Sequence, residues 1–271
     1  MNIQLELTNR CNLRCVECPN HKMQRERGFI SNEVFLKVLN DYIIPLRGEQ
    51  PTVILHKDGE PLLHNNIRFF IREIEKYRTD IKLDIYTNGV LLNDDFVAFL
   101  STVKNPVWIL VSFHFIDYLG RMINSTDSLH WRLKQMMDDA GKNITFVVVT
   151  HEHDYIQKDF LDRWLTEWLE HKSKTTAKID GVFVNPSINP WGGLIEDSHN
   201  SSFTSCPYAD GEHLFIGYTG NVIPCCIDLE EDAIIGNVFV DDVSTIMSRR
   251  SEFYSDVVKH GGSLCHRCLK V

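Results

Sequence analysis

Apolar and polar positions alternate with two periods along the first two-thirds of the chain. Ile3-Gln4-Leu5-Glu6-Leu7 has the period of two expected of a half-buried strand. Short apolar runs recur at residues 52–56, 83–86, 107–113, 144–149 and 181–185. Between them the spacing becomes helical. Ser31 can cap a helix with Val34, Phe35, Val38, Leu39, Tyr42 and Ile43 on one face. Ile67, Phe70, Ile71, Ile74 and Tyr77 repeat the spacing, as do Leu129, Leu133, Met136 and Met137. Phe160, Leu161, Trp164, Leu165, Trp168 and Leu169 form another such stripe, which reads as core packing rather than an aromatic binding box. The six strand-like runs alternate with helices, which predicts an α/β fold with a parallel sheet and right-handed crossovers. Both an open doubly wound sheet and a partial barrel meet that description. In either, function belongs at the C-terminal ends of the strands.

From about residue 197 the pattern changes. Ser, Asn and Thr dominate residues 198–205, followed by a small hairpin with Gly220 at its turn and an amphipathic helix over residues 243–259. We therefore expect a main domain over residues 1–196 and a smaller one over 197–271. The first strand starts close to Met1, so no N-terminal accessory domain is expected.

The formal net charge of −9 and the lack of a long basic run disfavour nucleic acid as a partner. The cations of residues 21–27 read as a solvated loop. No apolar run reaches membrane-spanning length and no secretory signal is present, so a cytoplasmic location is expected.

The predicted strand ends carry the chemistry. After strand one comes Cys11-Asn12-Leu13-Arg14-Cys15-Val16-Glu17-Cys18, and after strand two His56-Lys57-Asp58-Gly59-Glu60-Pro61. Thr87-Asn88-Gly89 follows strand three, Ser112 and His114 lie on strand four, and His151 and His153 follow strand five. Asn189, Trp191 and Gly192-Gly193 follow strand six. The eight cysteines fall in two groups separated by a long cysteine-free stretch, which favours metal binding at both ends over a disulfide framework. Three thiolates leave a metal centre with one open position. An iron–sulfur cluster bound this way has an iron free for a small ligand, although zinc completed by a distant His has the same arithmetic.

The C-x3-C-x2-C run after strand one resembles the cluster motif of the radical S-adenosylmethionine (SAM) enzymes. Asp58-Gly59-Glu60-Pro61 resembles that family's G-G-E-P, with Asp in place of the first Gly, and Thr87-Asn88-Gly89 resembles its strand-end T-N-G. The resemblance implies a [4Fe–4S] cluster on Cys11, Cys15 and Cys18, completed by the methionine end of SAM. It further implies SAM contacts from Asp58, Gly59, Glu60, Thr87, Asn88 and Ser112. Glu17 departs from the family, where an apolar or aromatic residue before the third cysteine often contacts adenine. The implied fold is a partial (βα)6 barrel. The implied chemistry is reductive cleavage of SAM by a flavodoxin-like or ferredoxin-like electron donor, giving a 5′-deoxyadenosyl radical that abstracts hydrogen from a small-molecule substrate.

Cys206, thirteen residues, Gly220, four residues and Cys225, with Cys265-x2-Cys268 near the end, resemble the "twitch" form of the SPASM auxiliary-cluster domain. This implies a second [4Fe–4S] cluster on Cys206, Cys225, Cys265 and Cys268. Zinc would suit the C-x2-C pair equally well. Cys226 is left over, as a buried small residue, an alternative ligand or a hydrogen-atom donor.

The favoured reaction is two-electron dehydrogenation of an alcohol, such as an amino sugar or cyclitol, in a biosynthetic pathway. The auxiliary cluster would take the second electron and His114, or else His151 or His153, the proton. His56, Lys57, His151, Asn189 and Trp191 are candidates for the substrate pocket. The alternatives are redox-neutral epimerisation through Cys226, maturation of a ribosomal peptide, and a non-catalytic iron–sulfur or zinc protein that binds a partner.

Overall fold

Strand β1 (Asn2–Leu5) is hydrogen-bonded on both sides in the computed structural model, which describes residues 2–123, 127–152, 156–185, 208 and 213–260. On one side follow β2 (Thr52–Ile54), β3 (Lys82–Thr87), β4 (Val107–Phe113), β5 (Ile144–His151) and β6 (Lys178–Asn185), all parallel and in sequence order. A doubly wound sheet reverses strand order at a switch point. No reversal occurs within β1–β6, so the crossovers wind one way and the sheet is the arc of a barrel.

Alternation along each strand sorts its side chains. In β4, Val107, Ile109, Val111 and Phe113 are buried, whereas Trp108, Leu110 and Ser112 between them are only partly so. The buried set shares the core with helices α1 (Asn32–Val38), α2 (Ile67–Tyr77), α3 (Asp94–Ser101), α4 (Asp127–Asp138) and α5 (Lys158–Lys174). Trp164 and Trp168 of α5 pack edge-on and tilted against Phe113, with ring centroids 5.6 and 5.5 Å apart, so the Trp stripe is core. The other face of the sheet lines the barrel interior. Gln4, Glu6 and Asp84 lie there, and Glu6 is fully buried, although the alternation of its strand reads as solvent-facing.

The C-terminal segment extends the same sheet. Strand β7 (His213–Ile216) pairs parallel with β1, and β8 (Asn221–Ile223) and β9 (Gly236–Asn237) continue antiparallel before α6 (Val243–His260). The hairpin turn falls at Gly220 as expected, with φ 86°. Several strand boundaries differ from the sequence reading. β1 ends at Leu5 and β2 at Ile54, because the chain bends there to carry the cysteine and Asp58 loops inward, and β6 begins at Lys178. The Ser31 hydroxyl caps α1 through Val34 N–H (3.1 Å), but the helix widens to a π turn over Leu39–Ile43. Among the described residues no helix is long and apolar enough to cross a membrane.

Candidate active site

The cysteine loop is pinned from three sides. Its base closes through Ile30 N–H to Leu7 O (2.8 Å), and its outer side through Val16 N–H to Ile116 O (3.0 Å) in the segment after β4. Beneath it runs the Asp58-Gly59-Glu60 turn, where Glu60 N–H donates to Arg10 O (2.9 Å) and the Asn20 amide spans Asn9 O and Asp58 O. Gly59 is required there: a Cβ would lie 2.4 Å from the carbonyl oxygens of both Thr8 and Arg10.

Cys15 is buried, Cys11 and Cys18 are half-buried, and all three thiols are free. Burial pushes all three thiols up; Glu60 adds to this at Cys11, Glu17 and the other two thiols at Cys15, and Cys11, Asp58 and Glu17 at Cys18, which reaches about 12. A site that disfavours thiolates when empty fits a cationic iron centre, which supplies the missing counter-charge and releases the protons on binding.

Glu60 ties the strand ends together. One carboxylate oxygen accepts from Leu62 N–H (3.1 Å) and the Thr87 hydroxyl (2.8 Å), the other from Asn88 N–H (2.8 Å). The Asn88 amide then reaches Asn12 Oδ1 (2.8 Å) and lies 3.9 Å from Cys11 Sγ. Gly89 takes φ 77°, the left-handed conformation that glycine allows, which turns the T-N-G peptide toward the cysteine loop. The turns after β1, β2 and β3 thus form one unit.

The Asp58 carboxylate faces a buried ion cluster. Its Oδ2 accepts from Lys57 Nζ and from Arg25 (2.8 Å), while its Oδ1 is buried with no hydrogen-bond partner among the described residues. An ammonium group from a ligand would satisfy that oxygen, which fits SAM. Arg25 also binds Glu6 (2.6 Å) and Glu231 (3.1 Å), and its Nε donates to Leu229 O (2.6 Å). Lys57 is itself buried and donates to Asp228 O (3.1 Å), so it braces the loop. The expected solvated loop over residues 21–27 is therefore corrected at Arg25, which three carboxylates hold with its side chain only 12% exposed. Burial raises Asp58 to about 8, against the pull of Lys57; Glu6 is held low despite burial by Lys57 and Arg25.

On the barrel interior, Ser112 and His114 meet: Ser112 Oγ lies 3.1 Å from His114 Nε2, and the other ring nitrogen contacts the Glu17 carboxylate. His151 stacks on His114 with centroids 5.8 Å apart. His56 lies 5.6 Å from Tyr86, centroid to centroid, and its buried Nδ1 lacks a partner among the described residues. Cys225 and Cys226 are half-buried thiols in no disulfide among the described residues, and the Cys226 thiol donates to Tyr208 Oη (3.1 Å). Cys225, then Tyr208 and Lys57, hold the Cys226 thiol down near 7 against burial. Cys206, Cys265, Cys268, His153, Asn189 and Trp191 lie outside the described residues.

Sequence reasoning missed Arg25, Glu6 and Glu231, and the pairing of Glu17 with His114. The available signals were Glu6, a charge at the end of a short alternating strand, and Glu17, a departure from the family pattern.

Comparison with known proteins agrees with this geometry. Residues 5–159 match the Radical SAM superfamily, and residues 206–269 match SPASM, an iron–sulfur cluster-binding domain. The chain is 34% identical over 256 residues to the tungsten-containing aldehyde ferredoxin oxidoreductase cofactor-modifying protein of Pyrococcus furiosus, covering 82% of this chain and 70% of that protein. It is 22% identical to the S-adenosyl-L-methionine-dependent 2-deoxy-scyllo-inosamine dehydrogenase of Niallia circulans, covering 99% of this chain and 92% of that one. The crystal structure of BtrN in complex with AdoMet and 2-DOIA superposes with a TM-score of 0.66 at 19% identity, covering 97% of this chain and 90% of that one. With the motif residues gathered at one end of a parallel barrel arc, the chain belongs to the radical SAM superfamily and is a radical SAM enzyme with a C-terminal SPASM domain.

Proposed function

We propose that this enzyme dehydrogenates an alcohol carbon of a small, hydroxyl-rich molecule such as a cyclitol or amino sugar. The observation that carries the reading is the set of proton acceptors on the barrel interior, His56, His114 and His151, beside the strand ends that gather the cysteine and Glu60 loops. The near full-length likeness to 2-deoxy-scyllo-inosamine dehydrogenase supports it.

In this reading Cys11, Cys15 and Cys18 hold one [4Fe–4S] cluster and Cys206, Cys225, Cys265 and Cys268 of residues 197–271 a second. Bound SAM, reduced through the first cluster by a flavodoxin-like or ferredoxin-like donor, supplies the hydrogen-abstracting radical. Asp58 receives the SAM ammonium, the Glu60 carboxylate keeps Thr87 and Asn88 in place, and Ser112 faces the ribose. The half-buried interior wall excludes bulk water from the carbinol and positions it for abstraction. A histidine takes the hydroxyl proton.

A second reading, redox-neutral epimerisation, draws support from the Cys226 thiol beside Tyr208. Cys226→Ala separates the two. A dehydrogenase keeps forming carbonyl product, whereas an epimerase loses its hydrogen donor and releases substrate labelled from solvent. The proposal itself is tested with anaerobically reconstituted protein, dithionite, SAM and 2-deoxy-scyllo-inosamine deuterated at its carbinol carbons. Deuterated 5′-deoxyadenosine with a carbonyl product supports dehydrogenation, and deuterium transfer without a carbonyl product overturns it.

A further inference from the structure

We propose that Glu17 is a positioning residue that fixes His114 as the proton acceptor for the oxidation, with Ser112 at the accepting nitrogen. This rests on the dehydrogenase reading. Glu17 is 9% exposed, and its carboxylate contacts His114 Nδ1 from a loop nearly a hundred residues away in sequence. A carboxylate only accepts hydrogen bonds, so it places the ring proton on Nδ1. Nε2 is then a lone-pair acceptor, and it faces Ser112 Oγ at 3.1 Å. His151, stacked 7° from coplanar, holds the ring from its other side.

The neighbouring bases suit the task less well. Burial keeps His56 down at about 4, and Lys57 is a cation committed to Asp58 and Asp228 O. Removing a hydrogen atom from the carbinol carbon leaves a hydroxyalkyl radical. Its hydroxyl proton passes to His114 Nε2, directly or through Ser112, and its remaining electron passes to the oxidised iron–sulfur centre of the SPASM domain. The C–O single bond becomes a carbonyl. The net change converts SAM and alcohol into methionine, 5′-deoxyadenosine, ketone and one proton, and the electron taken up in SAM cleavage is returned. The departure at Glu17 from the apolar residue common before the third cysteine thereby acquires a use.

Two measurements test this independently. In metal-free protein labelled with 15N-histidine, with His114→Gln used for assignment, His114 should be the Nδ1–H tautomer. Glu17→Gln, whose amide can donate to Nδ1, should convert it to Nε2–H, and Glu17→Asp should restore it. An Nε2–H tautomer in the parent protein, or no change in Glu17→Gln, overturns the pairing. In the second, reconstituted protein is given the deuterated 2-deoxy-scyllo-inosamine, with iron content matched because Glu17 adjoins Cys18. Glu17→Gln should keep deuterium transfer to 5′-deoxyadenosine and an unchanged KM, while carbonyl formation falls roughly a hundredfold. Equal carbonyl formation in the variant overturns the positioning role. Deuterium transfer without a carbonyl in the parent protein would overturn the dehydrogenase reading and with it the proton-acceptor role, leaving the tautomer result to decide the pairing.

Discussion

Arg25 places one guanidinium nitrogen 2.6 Å from Glu6, the residue just past the first strand, inside the barrel arc and largely out of water. The same group reaches Asp58 at 2.8 Å and Glu231 at 3.1 Å, so a single side chain joins the cysteine loop, the turn after β2 and the C-terminal segment. Removing it strands buried carboxylates. Arg25→Ala should lower stability by about 3–5 kcal/mol, the range for breaking a buried pair. Arg25→Lys should recover only part, because a point charge cannot fork to three acceptors. Urea unfolding measures both, and a loss within 0–1 kcal/mol, the range of an exposed pair, would show that the cluster is solvated.

Gly59 has no space for a side chain. A Cβ 2.4 Å from two backbone carbonyl oxygens must push the cysteine loop off the turn. Gly59→Ala should cost about 1–3 kcal/mol and impair iron loading at the N-terminal cysteines. Iron and sulfide analysis after reconstitution checks this. A variant that loads like the parent would mean that the loop tolerates displacement.

Glu60 accepts three hydrogen bonds in a buried position, two from the T-N-G segment. Glu60→Gln replaces one acceptor oxygen with a donor and leaves at least one buried N–H or hydroxyl unpaired, a cost of about 1–3 kcal/mol. SAM affinity should fall about tenfold or more, measured by equilibrium dialysis. Unchanged affinity would separate this turn from SAM binding.

His56 and His64 should each contribute an acid-sensitive part to the stability, opposed over the same range by the raised Asp58 carboxyl. Burial lowers both, His56 to about 4, whereas an unfolded histidine titrates near 6.5. At these two sites the unfolded chain therefore binds more protons than the folded one below about pH 6.5, and their contribution to stability falls as pH drops from there toward about 4. His56→Gln should remove part of the acid loss of stability relative to the parent, and His64→Gln should remove less, since its smaller shift is offset by the 2.9 Å contact with Ile30 O. Thermal midpoints between pH 4 and 8 report the slope. Profiles of the same slope in parent and His56→Gln would place that ring in water.

The barrel strands were legible because burial on one face imposes a period of two and helices impose 3.6, and those periods survive in sequence. The three strand-end motifs were legible because local turn chemistry needs their residues adjacent, as with Gly59 and Gly89. The Arg25 cluster was not. Its partners Glu6, Asp58 and Glu231 are scattered along the chain; Glu6 and Glu231 alone read as surface charges, and Asp58 reads as a ligand contact. Glu6 misleads further, because the barrel's inner face is polar but closed, so an outward-looking position just past β1 is fully buried. Nor does periodicity reveal that β7 pairs parallel with β1, since any free sheet edge could have received it.

The central claim is that the loop bearing Cys11, Cys15 and Cys18 lets one electron split SAM. It is tested by measuring 5′-deoxyadenosine after anaerobic reconstitution with iron and sulfide and addition of dithionite and SAM. The account predicts that the parent protein forms it and that Cys11→Ala, Cys15→Ala and Cys18→Ala do not. An iron-loaded parent that yields no 5′-deoxyadenosine, or variants that form it at the parent rate, would contradict it.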